Sequence, residues 1–328
     1  MRSLKALFQI SLFIPIFLYS DAPYVGLYMG MNFRGEKEFC QRVKIASERL
    51  GWKTEEYNAS KSNEPFDWIL SFVPGQEGEA RKKSYLMLFD PEHHYFNKSG
   101  HLSKSYYGFA GYLTTYENTQ SLIRDLKGDS NRVYPRGWFA TVQYVPYRQV
   151  EPKALFYFIC HWGNRLKDQK YILLQNLLAE KPYARLYGSP NVGSRYGSAF
   201  QGTIPFDGES VIQKISDAGV CLVLHSDSHN KHKIPSGRIF EAASASAVII
   251  SDRNPFVVKT FKDTVLYVDE QLKGNELFRQ IDNHMKWIQE HPEKALEMAK
   301  QAHEIFEKQF LLEEQLLGLY EFIESCRE

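Results

Sequence analysis

Short apolar runs alternate with segments whose apolar residues recur at helical spacing along most of the chain. The runs that predict strands lie at residues 25–29, 68–72, 85–89, 111–115, 154–159, 184–187, 220–224, 247–250 and 265–268. Apolar spacings of three and four residues predict helices between them, and two long helices, 275–290 and 292–325, are expected to finish the chain. Short strands that alternate with helices indicate βαβ units and parallel sheets.

A break in this alternation near residue 150 divides the chain. Residues 145–152 contain two prolines and show no periodicity, and the strand–helix pattern restarts after them. A length of 328 residues is typical of about two domains. We therefore predict an α/β protein with two Rossmann-like, doubly wound domains, 23–150 and 151–328, the second including the terminal helices. Ligands of such sheets bind beyond the carboxyl ends of the strands, so the cleft between the domains is the expected site.

Residues 1–22 form a separate N-terminal segment. Residues 1–5 are basic, and residues 6–20 are an apolar run that is short for a membrane span but suits the core of an export signal. No good cleavage site follows, so an export signal or membrane tether and a surface-docked helix stay open as alternatives. The first alternative implies a membrane-associated or secretory-pathway protein, and the second a cytoplasmic one.

Charge and cysteine usage exclude two further classes of protein. The 40 Lys and Arg residues nearly balance the 39 Asp and Glu residues, whereas domains that bind nucleic-acid phosphates non-specifically are usually strongly basic. No nucleic-acid partner is therefore expected. The four cysteines form no CxxC or Cys/His cluster, and the histidine-rich loop 225–232 lacks a well-placed third ligand, so no metal site is expected either.

Residues 220–246 hold the most informative pattern, a buried strand followed by a polar loop and a helix. Pro235 and Ser236 open this helix, and Ser236 is suited to cap it. The N–H groups and the positive dipole of a helix N-terminus suit a phosphate. Arg238 and Glu241, three residues apart, share one helix face. An arginine here can meet a phosphate, while the glutamate accepts hydrogen bonds from sugar or ribose hydroxyls.

This segment resembles the donor-binding half of the group 1 glycosyltransferases of the GT-B fold. The matching stretches are RIFEA at 238–242, VIIS at 248–251 and FKDTVLY at 261–267. The resemblance implies two Rossmann-like domains that face a cleft, a nucleotide sugar bound there, and contact of Glu241 with the nucleotide ribose. The chain departs from these relatives at Lys233, where some have a glutamate, and at Ser246, where glycine is usual. The subfamily and the retention or inversion of the anomeric centre therefore stay open.

Further donor-site residues follow from the same resemblance. Residues 158–168 resemble the strand, glycine loop and helix start of the family, which implies that Arg165 and Lys167 contact the donor diphosphate. Gly188 resembles a strand end that lies near the nucleotide base. His225, which follows the strand at 220–224, is the remaining donor-site candidate.

An acid or base that serves the acceptor hydroxyl is expected in the first domain. Asp90 and His93 follow the strand at 85–89 and are the catalytic candidates, with Glu92 and Glu117 as alternatives, because carboxylate and imidazole groups both remove protons near neutral pH. A solvated loop without catalytic function is the other interpretation of these residues.

The expected activity is transfer of a sugar from a UDP- or GDP-sugar to a hydroxyl of a glycan, a lipid-linked saccharide or a protein. No cofactor beyond this donor substrate is expected, and no metal, because no Asp-x-Asp pair occurs in the sequence. Two alternatives stay open: a fucosyltransferase-like GT-B enzyme, and a sugar- or nucleotide-binding protein without catalysis.

Overall fold

The computed structural model describes residues 22–30, 34–58, 65–76, 78–88, 94–115, 119–160, 165–193 and 195–327. The first of its two sheets has five parallel strands in the order β2-β1-β3-β4-β5. These are β1 (Tyr24–Tyr28), β2 (Lys53–Glu56), β3 (Trp68–Ser71), β4 (Ser84–Leu88) and β5 (Gly111–Thr114). The helices of this part are α1 (Arg34–Arg49), α2 (Gly78–Lys82) and α3 (Thr119–Asp125).

The second sheet also has five parallel strands, in the order β10-β9-β8-β6-β7. These are β6 (Ala154–Ile159), β7 (Ala184–Gly188), β8 (Gly219–Val223), β9 (Val248–Asp252) and β10 (Val265–Val268). The helices that follow β6 are α4 (Gln169–Ala179), α5 (Pro190–Gly193), α6 (Ser210–Ala218), α7 (Asp227–Lys231), α8 (Gly237–Ser244), α9 (Pro255–Phe261), α10 (Gly274–Glu290), α11 (Pro292–Gln309) and α12 (Leu312–Ser325).

Both sheets follow one winding rule, which places their ligand-binding edges. The chain begins at an inner strand, adds one neighbour, and then crosses to the other side of the first strand. The order therefore reverses between β1 and β3, and again between β6 and β8. Helices pack on both faces of such sheets, which explains why the apolar runs of β3, β4, β8 and β9 are buried at every position. The predicted α/β, doubly wound fold class agrees with these two sheets.

One strand and one helix end differ from the sequence-based expectation. The edge strand β2 reads KTEE and has no apolar run that could predict it. The single helix predicted over 292–325 is wrong, because Phe310 and Leu311 separate α11 from α12. The Val142 carbonyl accepts a hydrogen bond from the first residue of α12 (3.0 Å), and the Thr141 hydroxyl donates to the Phe310 carbonyl (2.7 Å). These hydrogen bonds take the place of helical hydrogen bonds at a point where no proline or glycine in the sequence indicates a break.

The last helix returns to the first domain. Its apolar face joins the core beneath the first sheet, together with Trp68 and Trp138; the residues that α12 contributes are Leu312, Leu316, Leu319 and Ile323. The polypeptide therefore passes between the two sheets twice, once before β6 and once between α11 and α12. The domain bounds predicted from the sequence stay a prediction. Among the described residues, no helix has the length and apolar character needed to cross a membrane, and residues 1–20 lie outside them.

Candidate active site

A cavity of about 630 Å³ lies in the cleft between the two domains. The start of α1 and residues Phe139 and Ala140 form one wall, and the ends of β6 and β8 with the start of α8 form the other. The second wall lies where the strand order of the second sheet reverses. Ligands of doubly wound sheets bind at such a reversal, so the position of the cavity agrees with the expected binding site.

The first turn of α8 contributes a polar surface to the cavity. Ser236 caps the helix, and its hydroxyl accepts a hydrogen bond from the backbone N–H of Arg238 (3.3 Å). Gly237 permits a close approach, because a Cβ there would lie 2.9 Å from the Ala140 carbonyl oxygen. The residues of this turn line the cavity. Its positive helix dipole is therefore available to an anionic group.

Glu241 lies one turn further along α8 and is held by arginines from both domains. Its Oε1 lies 2.5 Å from Nη2 of Arg42 on α1, and its Oε2 is ion-paired with Arg238. The Arg238 guanidinium also lies over the Phe158 ring, 5.0 Å from its centroid. Burial raises the pKa of Glu241, but the charges of Arg238 and Arg42 outweigh this effect and hold the pKa below its usual range. Glu241 is therefore an ionised carboxylate in the wall of the cavity.

Arg42 also bonds to Glu38, which extends the ion pairs along α1. Arg42 Nη2 lies 2.9 Å from Glu38 Oε1, and Glu38 Oε2 accepts a hydrogen bond from the Gly208 N–H of the second domain (3.1 Å). Burial raises the pKa of Glu38, an effect that the charge of Arg42 opposes. We call Glu38, Arg42, Glu241 and Arg238 the cleft ion-pair chain. Its formal charges cancel.

Arg42 and Glu38 were not among the residues predicted from the sequence. The available signal was a Glu–Arg pair four residues apart that lies beside the apolar residues Phe39 and Val43 of the same helix. Such a pair is usually solvated. Its burial depends on the second domain, which no local pattern in α1 describes.

His225 follows β8 and is bonded to Asp252 at the end of the neighbouring strand β9. The ring Nδ1 lies 2.7 Å from Asp252 Oδ1, and the backbone N–H of His225 donates to the same oxygen (3.0 Å). Asn230 donates to the other carboxylate oxygen (2.7 Å). Burial raises the pKa of Asp252, but the attraction of His225 and these hydrogen bonds lower it to about 2. His225 lines the cavity, and in the part of the chain that the structure describes its ring Nε2 is buried without a hydrogen-bond partner.

The three other predicted donor-site residues have different surroundings. Arg165 lines the cavity but is buried; its Nη2 donates to the Leu224 carbonyl, and its guanidinium lies 5.5 Å from the Tyr171 ring centroid. Lys167 is exposed and is not part of the cavity wall. Gly188 ends β7, where a Cβ would lie 2.9 Å from a neighbouring carbonyl oxygen, and only the following serine reaches the cavity.

The structure thus brings Arg165, His225, Arg238 and Glu241 to one cavity and leaves Lys167 outside it. The proposed catalytic residues Asp90 and His93, and the alternatives Glu92 and Glu117, lie outside the described residues. Among the residues that are described, no group of three or more His, Cys, Asp or Glu side chains is arranged to hold a metal ion.

Comparison with known proteins identifies the type of fold. Residues 169–318 match the model of a family described as glycosyl transferase-like. HepE from Anabaena, solved in complex with UDP-glucose, is similar over both domains, with a TM-score of 0.57 and 10% identity over 93% of this chain and 99% of that one. The chain has the GT-B fold, and its residues 169–318 resemble the glycosyl transferase-like family.

Two further GT-B structures have the same extent of similarity. Sucrose-phosphate synthase from Thermosynechococcus elongatus gives a TM-score of 0.56 with 13% identity, and the alignment covers 93% of this chain and 100% of the synthase chain. WaaG, a glycosyltransferase involved in lipopolysaccharide biosynthesis, gives 0.51 with 10% identity and covers 89% of this chain and 98% of its own. No curated protein sequence matches the chain. The predicted fold class and the predicted resemblance are confirmed.

Proposed function

We propose that this GT-B protein transfers a sugar from a nucleotide-diphosphate donor to a hydroxyl acceptor. The observation that carries the proposal is the convergence of Arg238, Glu241, His225 and the α8 N-terminus on one interdomain cavity. In such a transfer the bond between the anomeric carbon and the diphosphate oxygen breaks while a bond to the acceptor oxygen forms. The protein must orient both partners and stabilise the departing negative charge.

Arg238 and the first turn of α8 are the proposed diphosphate site. The Arg238 side chain keeps 22% of its surface exposed, whereas Arg165 is buried and engaged with the Leu224 carbonyl. Arg238 is therefore the arginine that can reach a ligand, and Arg165 supports the wall behind it. A guanidinium and a helix N-terminus supply positive charge without a metal ion, so we also propose metal independence. Contact of Lys167 and Gly188 with the donor remains a proposal.

Glu241 is the proposed ribose contact. An ionised carboxylate offers about four lone-pair positions, and two of them face the Arg42 and Arg238 partners of Glu241. Because HepE was solved with UDP-glucose and a pneumococcal O-GlcNAc transferase with UDP and GlcNAc, a UDP-sugar is the first donor to test, with a GDP-sugar as the alternative. Asp90 and His93, which follow β4 in sequence, stay the proposed bases for the acceptor hydroxyl.

The export signal or membrane tether at residues 1–20 stays an expectation, as does an acceptor that is a glycan, a lipid-linked saccharide or a protein. A fucosyltransferase-like enzyme and a binding protein without catalysis are the other candidates. Consumption of the sugar nucleotide separates the binding protein from both enzymes, and donor preference separates the two enzymes.

A thermal-shift panel of UDP, GDP, CMP and ADP tests the donor site. A nucleotide at 100 times its Kd stabilises the native state by about 2.7 kcal/mol. We expect stabilisation by UDP, and we expect Arg238→Ala to weaken UDP binding at least tenfold. Arg279→Ala, which changes an exposed arginine of α10, is the matched control and should leave binding unchanged. Absence of stabilisation by all four nucleotides would refute the donor site, and stabilisation without release of UDP from UDP-sugars would favour the binding protein.

A further inference from the structure

The bond between His225 and Asp252 has no role in the site as described so far. His225 lies two residues beyond the end of β8, and Asp252 is the last residue of the neighbouring parallel strand β9, so the sheet places them side by side. Both side chains are almost fully buried, with 0% and 2% of their surfaces exposed. The packed protein around such a buried pair fixes its geometry, whereas an exposed pair can separate in solvent.

The hydrogen bonds around Asp252 determine which ring nitrogen of His225 carries the proton. Asp252 Oδ1 accepts from the His225 backbone N–H, and Oδ2 accepts from Asn230, whose own side-chain oxygen accepts from Asn254 (2.8 Å). A carboxylate held in this way is an acceptor only. The Nδ1 atom of His225, 2.7 Å away, must therefore be the donor, and in the neutral ring Nε2 is left with its lone pair.

The groups beside the ring do not use this lone pair. Arg165 is directed to the Leu224 carbonyl, and His229 pairs through its Nδ1 with the Ser226 hydroxyl (2.6 Å). The His225 and His229 rings lie 6.4 Å apart between centroids, and both line the cavity. A buried acceptor without a partner costs about 1–3 kcal/mol. Within the described residues, Nε2 of His225 is thus a buried acceptor that no protein group satisfies, and it belongs to a residue that lines the cavity.

We propose that Asp252 is a positioning residue that holds His225 in the tautomer with the proton on Nδ1, so that Nε2 accepts a hydrogen bond from a sugar hydroxyl in the cavity. The inference rests on the proposed function, because it requires a sugar at this place. The hydroxyl belongs to the transferred sugar or to the acceptor. A neutral Nε2 lone pair repels phosphate oxygens, which separates this contact from the diphosphate site at Arg238.

Nitrogen NMR of the full chain with ¹⁵N-labelled histidine tests the tautomer without any ligand. The His225 signals are assigned by their absence in His225→Gln. The neutral wild-type ring should show a protonated Nδ1 and an unprotonated Nε2. Asp252→Leu, which removes the acceptor and fills the volume, should move the ring towards the Nε2–H form. A wild-type ring protonated on Nε2 alone would overturn the inference even if no variant folded.

Turnover of a UDP-sugar tests the hydroxyl contact. Asp252→Leu and His225→Gln should lower kcat/KM at least tenfold while leaving the affinity for UDP, which lacks the transferred sugar, within about twofold. Asp125→Leu is the matched control, because Asp125 is also a buried carboxylate (2% exposed) paired with a histidine, His101 (3.2 Å), but it lies in the first domain and does not line the cavity. Unchanged kcat/KM, or a parallel loss of UDP affinity of the kind that a purely structural role produces, would overturn the proposal.

Donor hydrolysis without acceptor distinguishes the two sources of the hydroxyl. A transferred-sugar hydroxyl predicts that hydrolysis falls by the same factor as transfer, whereas an acceptor hydroxyl predicts that only transfer falls. Either result supports the contact. If the wild type turns over no sugar nucleotide, the proposed function and the hydroxyl contact both fail, but the NMR spectrum still decides the tautomer on its own.

Discussion

Arg42→Met removes the central cation of the cleft ion-pair chain and tests how strongly that chain joins the domains. The Arg42 side chain is 3% exposed and bonds to Glu38 on its own helix and to Glu241 on the other domain. Removal of one partner of a buried ion pair typically costs about 3–5 kcal/mol, because a buried charge is left uncompensated. We expect a loss in this range for Arg42→Met at pH 8.

The structure predicts which carboxylate is left uncompensated by Arg42→Met and how the loss of stability depends on pH. Glu241 keeps its second partner, Arg238, whereas Glu38 loses the one cation with which it is paired among the described residues and keeps the Gly208 N–H. The pKa of Glu38 is already raised by burial and must rise further without Arg42. A carboxyl whose folded pKa lies above its unfolded pKa contributes stability at low pH that is lost as pH rises through the folded value. The deficit of Arg42→Met should therefore be smaller at pH 5 than at pH 8.

Urea and thermal unfolding, followed by tryptophan fluorescence at both pH values, measure the effect. For a cooperative unit of about 150–250 residues, 3–5 kcal/mol corresponds to a fall in Tm of roughly 6–20 °C. Lys44→Met is the matched control on the same helix, because both partners of the Lys44–Glu56 pair are partly exposed (29% and 50%) and the pair should contribute only about 0–1 kcal/mol. A loss no larger than that of the control, or an equal loss at pH 5 and pH 8, would refute the reasoning.

Two further predictions concern stability. Burial and the charge of Asp252 raise the pKa of Glu270 to about 7, so the contribution of Glu270 to the free energy of unfolding falls as pH rises from near 4.5 through 7. Relative to the wild type, Glu270→Gln should therefore gain about 3 kcal/mol of stability between pH 4.5 and pH 8. A difference in unfolding free energy, measured with urea, that stays constant between the two pH values would contradict this. Gly219→Ala should cost more than about 2 kcal/mol, because Gly219 has a φ of 80° and its Cβ would lie 2.2 Å from the Glu151 carbonyl oxygen. Gly51→Ala, at a φ of 75° in open space, should cost only about 1 kcal/mol in the same unfolding assay, and equal costs would show that the close contact does not matter.

The residues that sequence patterns could identify are those whose roles are local. Buried parallel strands are continuous apolar runs, so nine of the ten described strands have a counterpart in the predicted runs, and only the polar edge strand β2 does not. His225, Arg238 and Glu241 lie beside strand ends or a helix start that the pattern marks directly. Asp252 had a signal of the same kind, since it ends the strand next to His225, but its bond depends on strand order, which one sequence does not display.

The features that escaped prediction depend on contacts between the domains. Arg42 is an ordinary helical arginine until the second domain covers it. The helical pattern breaks at Phe310 and Leu311 because Thr141 bonds to Phe310 and Val142 bonds to Leu312. Propensity and periodicity describe a segment and its nearest neighbours along the chain. They do not describe contacts that join residues about 170 to 200 positions apart, which require the assembled fold.

The two segments that cross between the sheets and the cleft ion-pair chain together link the relative position of the domains to the charge environment of Glu241. The crossings run side by side, and Gln315 of α12 bonds to both the N–H and the carbonyl of Phe139 (3.0 and 3.2 Å), which ties one crossing to the other. Arg42 and Glu241 meet between opposite walls of the cavity, so any opening of the cleft must separate these charges. Glu241 would then keep Arg238 alone and lose part of the attraction that lowers its pKa. Because the same carboxylate is the proposed ribose contact, a bound nucleotide and a closed cleft should stabilise each other.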